Sequence, residues 1–316
     1  MDFTILKYKS LLKTLQDKGY RFITFYEYLK QDRSNTPNPQ TRDSEPATNS
    51  SERLIILRHD VDRKPKNSLA TAKIEEGLGI AGSYYFRMVP ESFEEGIIRE
   101  IAARGHEIGY HYETMDTVAS RYRDADYSVS RSDLLDSSEK DYFVDSSKNN
   151  DTSRNDVLTD TAYQLFLHNL ERFRQIADIR TICMHGSPRS KYDNREIWKK
   201  YSYRQLGIIG EPYFDVDFNR VLYLTDTGRR WDGWRVSVRD KVPQQEQWKR
   251  EKLTFRITKE IIKAVKQNRL PAQIMITVHP QRWTNNPLTW TKELVWQNAK
   301  NMVKWMIVGI AMTRVR

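Results

Sequence analysis

The residues able to carry chemistry in this sequence stand where apolar runs end. Asp60 and Asp62, in Arg58-His59-Asp60-Val61-Asp62, follow the apolar residues 54–57. Residues two apart on a strand share a face, so the two carboxylates point the same way. Like charges so close call for a shared proton, a nearby cation or a bound metal. The other reading is a pair that caps the next helix and salt-bridges Arg63 or Lys64. The segment Gly105-His106-Glu107-Ile108-Gly109-Tyr110-His111-Tyr112-Glu113 holds two histidines. In a strand they face opposite sides and in a helix they stand about 140° apart, so one site takes one of them. His111 is the better ligand, because it ends the run with Glu113 on its own face, and His106 reads as a hydrogen-bonded core histidine. His185 ends the run 181–184, and His279 ends 274–278 and precedes Pro280. Imidazole nitrogen with carboxylate oxygen is the donor set that zinc and neighbouring divalent metals take in hydrolytic sites.

Residues so far apart in sequence meet only if the elements between them alternate. Residues 4–18 place Ile5, Leu11, Leu12 and Leu15 at helical spacing, Gly19 stops the run, and 21–25 reads as a strand. Further short apolar runs lie at 54–57, 82–86, 106–111, 180–184, 221–224 and 273–278, with helical segments at 66–78, 94–103 and 159–177. Strand, helix, strand as a repeating unit predicts an α/β fold with a parallel sheet or barrel. In such barrels the ends of different strands converge on the active site at the C-terminal face, which suits four runs ending in Asp, His, His and His. Two polar stretches, at about 31–52 and 128–156, carry too little apolar surface for a core and read as insertions in a single domain spanning 1–316.

The ordered series Asp60-Val61-Asp62, Gly82-Ser83-Tyr84-Tyr85-Phe86, Gly105 to His111 and Val278-His279 resembles the polysaccharide deacetylases of the NodB-homology type, carbohydrate esterase family four. The likeness runs from about residue 54 to 280. It implies a distorted (β/α)7 barrel, Asp60 as general base, Asp62 and His111 as metal ligands, and His279 as the acid that protonates the leaving amine. The family's histidine motif continues to a second histidine four residues on, and here that place is Met115. A thioether is a poor ligand for such a cation. The third ligand is then His185 or Glu113, with His185 alternatively orienting the base. Arg58, Glu113 and Trp231 are expected substrate contacts. The family's aspartate-tryptophan motif has loose counterparts in Asp215-Val216-Asp217 and in Asp226 with Arg229, Arg230 and Trp231, with no role assigned.

The implied activity is metal-dependent hydrolysis of an acetamido or related sugar amide, zinc being the expected metal and an acetylated sugar or glycan precursor the partner. Two competitors are a glycan-binding barrel without catalysis and a C–N hydrolase acting on a non-sugar substrate. The net charge of +10, from 52 Lys+Arg against 42 Asp+Glu, suits an anionic sugar or equally a solvated basic surface. No nucleic-acid-binding signature accompanies it. One cysteine, Cys183, excludes an intrachain disulfide and reads as a buried thiol. The N-terminal residues lack a secretory pattern, so the expected address is the cytoplasm. The apolar run 305–312 is too short to span a bilayer. Its basic flanks suit packing on the domain or peripheral contact with a membrane.

Overall fold

The computed structural model describes residues 1–35, 52–124, 154–187, 190, 192–235, 237 and 240–313. Its strands are β1 (Arg21–Ile23), β2 (Leu54–Val61), β3 (Ser83–Phe86), β4 (Glu107–Tyr112), β5 (Ile182–Met184), β6 (Leu222–Thr225) and β7 (Gln273–Val278). All are parallel, in the order β5-β4-β3-β2-β7-β6. β2 is the long central strand: β7 covers one edge, while β1 and β3 share the other, Arg21 lying opposite Leu54 and Ser83 opposite Arg58. A parallel strand needs a crossover before the next one. Helices α1 (Ile5–Asp17), α2 (Phe25–Asn35), α3 (Pro65–Glu76), α4 (Glu95–Ala103), α5 (Thr114–Asp124) and α6 (Arg154–Arg174) fill those roles in the first half. In the second half come α7 (Pro212–Asp215), α8 (Gln245–Arg250), α9 (Thr258–Lys266) and α10 (Pro287–Thr313).

Alternation along the strands sorts side chains into an inside and an outside. Ile23, Ile56, Tyr85, Cys183, Tyr223 and Met275, from six different strands, form one buried cluster, so one face of the sheet curls round on itself. The intervening residues go outward into two further clusters: Tyr84, Tyr110 and Met184 under α4 to α6, and Leu57, Leu224 and Ile276 under α1 and α9. α1 is held by the Thr4 side chain, which accepts from Lys7 N, and turns Tyr8, Leu11, Leu12 and Leu15 inward at the spacing of one helix face. The fold is α/β, a curled parallel half-barrel carrying helices. Among the described residues no strand pairing joins β5 to β6, and a bridge from Thr181 to Gly210 extends the β5 edge.

The N-terminal end of the barrel is plugged by a buried carboxylate. Glu107 Oε2 accepts from Ser83 Oγ at 2.5 Å and from Tyr26 N at 3.0 Å, and Thr181 Oγ1 donates to Oε1. Burial pushes this carboxyl above its usual range despite those donors. Polar groups inside the curl are thus tied off at this end, and the rim at the C-terminal strand ends is where side chains reach open space.

Of the two polar stretches, α2 runs to Asn35 and α6 starts at Arg154, so the rest of both lies outside the described residues. α6 begins earlier than the apolar pattern, because its first turn is polar. The side chains of 305–312 also lie outside the description, although the backbone there continues α10. No helix among the described residues is long and apolar enough to cross a membrane.

Gly109 sits inside the curl between Glu107 and His111. A Cβ there would lie 2.3 Å from Tyr85 Cε1 and 3.1 Å from Thr181 O. Gly109→Ala is therefore expected to lower the unfolding free energy by about 1–3 kcal/mol through overpacking. Denaturant unfolding checks it; an unchanged midpoint would refute the close contact.

Candidate metal centre

Parity along the strands brings the chemistry-bearing side chains together. Arg58 and Asp60 share the inward parity of Ile56, and Asp62 follows at the strand end. His111 lies inward on β4, His185 immediately after β5 and His279 immediately after β7. His59 and His106 have the opposite parity and pack outside the sheet with Glu75, where Tyr8 Oη donates to Glu75 Oε1. All the inward groups stand at C-terminal strand ends.

Three ligand-type atoms converge. His185 Nδ1 is 3.2 Å from His111 Nε2 and 3.3 Å from Asp62 Oδ1, and His111 Nε2 is 3.6 Å from Asp62 Oδ1. Points so separated lie on a circle of about 2.0 Å radius, and zinc holds nitrogen and carboxylate oxygen at about 2.0–2.2 Å. Asp62 Oδ1 is buried and accepts no hydrogen bond. A buried carboxylate oxygen facing two imidazole nitrogens calls for a proton or a cation between them. The donor set and the orphaned oxygen both fit a divalent metal.

The surrounding bonds aim each donor. His111 Nδ1 lies 3.0 Å from Cys183 O and donates to it, which leaves the Nε2 lone pair toward Asp62. Asp62 Oδ2 accepts from Gln281 Nε2 at 2.9 Å, and Arg87 Nη1 donates to the Asp62 carbonyl at 3.1 Å. The same guanidinium grips Glu113 through Nη2 at 2.7 Å to both oxygens. Asn194 Nδ2 donates to His185 O at 2.7 Å and to Asp116 Oδ2 at 2.9 Å, tying the loop after β5 to α5. Lys64, just past the acidic pair, holds a left-handed φ of 55°, a strained conformation of the kind that collects at functional sites.

Electrostatics follow from these contacts. Burial alone would raise the Asp62 carboxyl, but the His111 and His185 imidazoles close beside Oδ1 and the charges of His185 and His279 hold it well below the usual range. Burial alone would lower the His185 imidazole, and the Asp62 carboxylate beside it pushes it up instead. Asp60 is held down to about 2: burial opposes this, and the charge of Arg58, with His111 and His279, outweighs it.

The structure reassigns several expected roles. Arg58 is buried and forks onto Asp60, Nε to Oδ1 at 2.8 Å and Nη2 to Oδ2 at 2.6 Å, so it orients that carboxylate and does not line the cleft as a substrate contact. Trp231 does not reach the cleft either. It is 2% exposed, packs near Phe3 and Trp283, and donates from Nε1 to Thr258 Oγ1 at 3.0 Å. Glu113 is occupied by Arg87, with Oε2 3.9 Å from His185 Nε2, which makes it a backing group for that imidazole. Met115 is buried in the outer cluster under α5, turned away from the rim. A second trio, Asp60, His111 and Cys183, is a poorer donor set. Asp60 is held by Arg58, and burial pushes the Cys183 thiol well up.

Other groups had been given no role from the sequence. Asp226, after β6, accepts from His279 Nδ1 at 2.6 Å, His279 N at 3.0 Å, Arg282 Nη1 at 2.8 Å and Trp283 Nε1 at 2.6 Å. His279 Nε2 is thereby turned toward Asp62, 4.0 Å from Oδ2. Arg87 follows the run 82–86 directly, the same signal that marked the histidines, and Asp226 follows 221–224 with Thr225 between. The cleft has a volume of about 340 Å³ and is lined by Asp62, Arg63, His185, Gln281, Arg282 and, from α10, Glu293.

No protein-family model matches the chain, and no curated protein does. Two solved structures align with it, a CE4 family pseudoenzyme from Bacillus anthracis and a mutant of that pseudoenzyme with restored enzymatic activity. Each aligns with a TM-score of 0.35 at 10% identity over 81% of this chain, covering 62% of the wild-type and 64% of the mutant chain. The chain thus spans less than two thirds of the length of either.

Two outcomes are expected. Zinc-reconstituted protein freed of loose ion should carry about one metal per chain by elemental analysis, falling to near zero in His111→Ala and His185→Ala. Adding Met115→His to His185→Ala should not restore it, because that side chain faces the outer core; recovery would refute the assignment. Separately, Glu211, which accepts from Met184 N at 3.1 Å and so fixes the end of β5, is pushed by burial up to about 7. A carboxyl that binds its proton more tightly folded than unfolded loses stability as pH rises from roughly 4.3 to about 7. Denaturant midpoints should carry that downward slope in wild type and lose it in Glu211→Gln; equal slopes would argue against it.

Proposed function

We propose that this chain is a metal-dependent hydrolase that removes an N-acetyl or related acyl group from a sugar in a glycan precursor, on a distorted (β/α)7 barrel of the polysaccharide deacetylase type. The observation that carries the reading is the trio Asp62 Oδ1, His111 Nε2 and His185 Nδ1, spaced as zinc ligands around a carboxylate oxygen that accepts no bond. A divalent metal there supplies Lewis acidity, polarising an acyl carbonyl and making attacking water more acidic. Asp60, aimed by Arg58, takes a proton from the water as its oxygen bonds to the acyl carbon. His279 Nε2, with Asp226 behind Nδ1, delivers a proton to the amine nitrogen as the C–N bond breaks. The products are a carboxylic acid and a free amino sugar. Arg63, whose side chain is 36% exposed at the cleft, meets an anionic substituent on the sugar if there is one.

One observation favours a second reading, a glycan-binding barrel without catalysis. A carboxylate held down to about 2 by a guanidinium fork accepts a proton poorly at neutral pH. Zinc-loaded protein incubated with N-acetylated amino sugars separates the two. Acetate release that falls about 10²–10⁴-fold in His279→Ala and in Asp60→Asn, with metal content unchanged, supports hydrolysis. Sugar binding by calorimetry with no acetate release supports the second reading. Release from acyclic amides alone would move the substrate away from sugars.

A further inference from the structure

The outer face of α10 is apolar and faces solvent. Leu288 is 83% exposed, Val295 64%, Trp296 54% and Met302 64%. At 100° per residue these four fall within about 120° of arc, with the exposed Lys292 and Ala299 among them. Glu293 and Gln297 lie on the opposite side, buried against the cleft. From 287 to 316 the sequence holds five basic residues, Lys292, Lys300, Lys304, Arg314 and Arg316, and one acid, Glu293. That acid points inward and pairs with Arg63 at 2.6 Å, so the outer face carries no negative charge. The helix backbone continues to Thr313 through the sequence 303–312, in which Lys304 is the one charged residue.

We propose that α10 docks the protein on an anionic lipid bilayer, its outer stripe entering the headgroup boundary and the exposed Lys292 within that stripe meeting the lipid phosphates. Scattered exposed apolar residues mean little, but a contiguous apolar stripe whose charge is of one sign is the pattern of an interfacial helix. The charge selects the occupant: a second copy of this chain would set basic helix against basic helix, whereas an anionic membrane complements both the helix and the net charge of +10. Glu293 and Gln297 line the cleft from the opposite side of α10, so docking by the outer stripe leaves those cleft residues unobstructed. The docking itself rests on the helix alone and stands or falls apart from the hydrolase reading.

Flotation of the full chain with phosphatidylcholine vesicles, with and without phosphatidylglycerol, tests it. The expected result is binding to the anionic vesicles that weakens in high salt, with little to the neutral ones. Val295→Glu with Met302→Glu, both on the solvent side, should lower the vesicle partition by about tenfold or more and leave the unfolding midpoint and metal content as in wild type. No binding to anionic vesicles, or equal binding by the variant, overturns the proposal. So does a wild-type dimer, seen by light scattering, that the variant dissociates without any vesicle binding.

Discussion

Asp62 Oδ1 is the atom around which the rim is organised. A buried carboxylate oxygen with no hydrogen bond is costly, and two imidazole nitrogens within 3.6 Å of it are tolerable only with a proton or cation among them. Such an arrangement persists when its surroundings leave the side chains no alternative. Gln281 holds the other oxygen, Arg87 the carbonyl, Cys183 O one imidazole, and Asn194 the loop that bears the other. Each restraint comes from a different element, and the curled sheet keeps those elements in register.

The curl also explains which part of the site was legible in the sequence. Period-two alternation placed Asp60 and Asp62 together and separated His111 from His106, because parity is a local property that the structure inherits directly. The strand-end rule found His185 and His279 for the same reason. Parity says nothing about how deep a side chain lies or what it meets. Arg58 shares the face of Asp60, and the sequence offered no sign that its guanidinium folds back onto that carboxylate. Trp231 stands among basic residues that suggest sugar stacking, yet Phe3, from the far N-terminus, completes an aromatic core around it. Met115 stands where the resemblance implies a second histidine, and its direction, into the outer core, depends on how α5 packs.

The second half of the chain was harder to read than the first. Its elements are short: β6 and α7 each have four residues and α8 has six, too few for a period to emerge. Asp226 was noted only as a loose counterpart of the aspartate-tryptophan motif, because its four donors come from residues 279–283, across the β6–β7 pair, and no spacing in the sequence announces them. Over its described side chains α10 turns polar Glu293 and Gln297 to the cleft and Leu288, Val295, Trp296 and Met302 to solvent. That inversion defeats a rule which assumes that apolar faces turn inward.

Drawing the third ligand from β5 instead of α5 changes what the site does for the fold. Two histidines four residues apart on one short segment form a local chelate whose loss leaves the sheet largely untouched. Here the donors come from β2, β4 and the segment after β5, so binding a cation closes a long-range link across the curl, near the sheet edge where a single bridge extends β5. A ligand that binds only the folded state adds stability in proportion to the logarithm of its concentration over its dissociation constant. That increment would be felt most at the open edge of the half-barrel, the part held by the fewest strand pairings. A cation bound there would therefore tie the β5 edge to β2 and β4, and the residues making that link would be the ones that activate water.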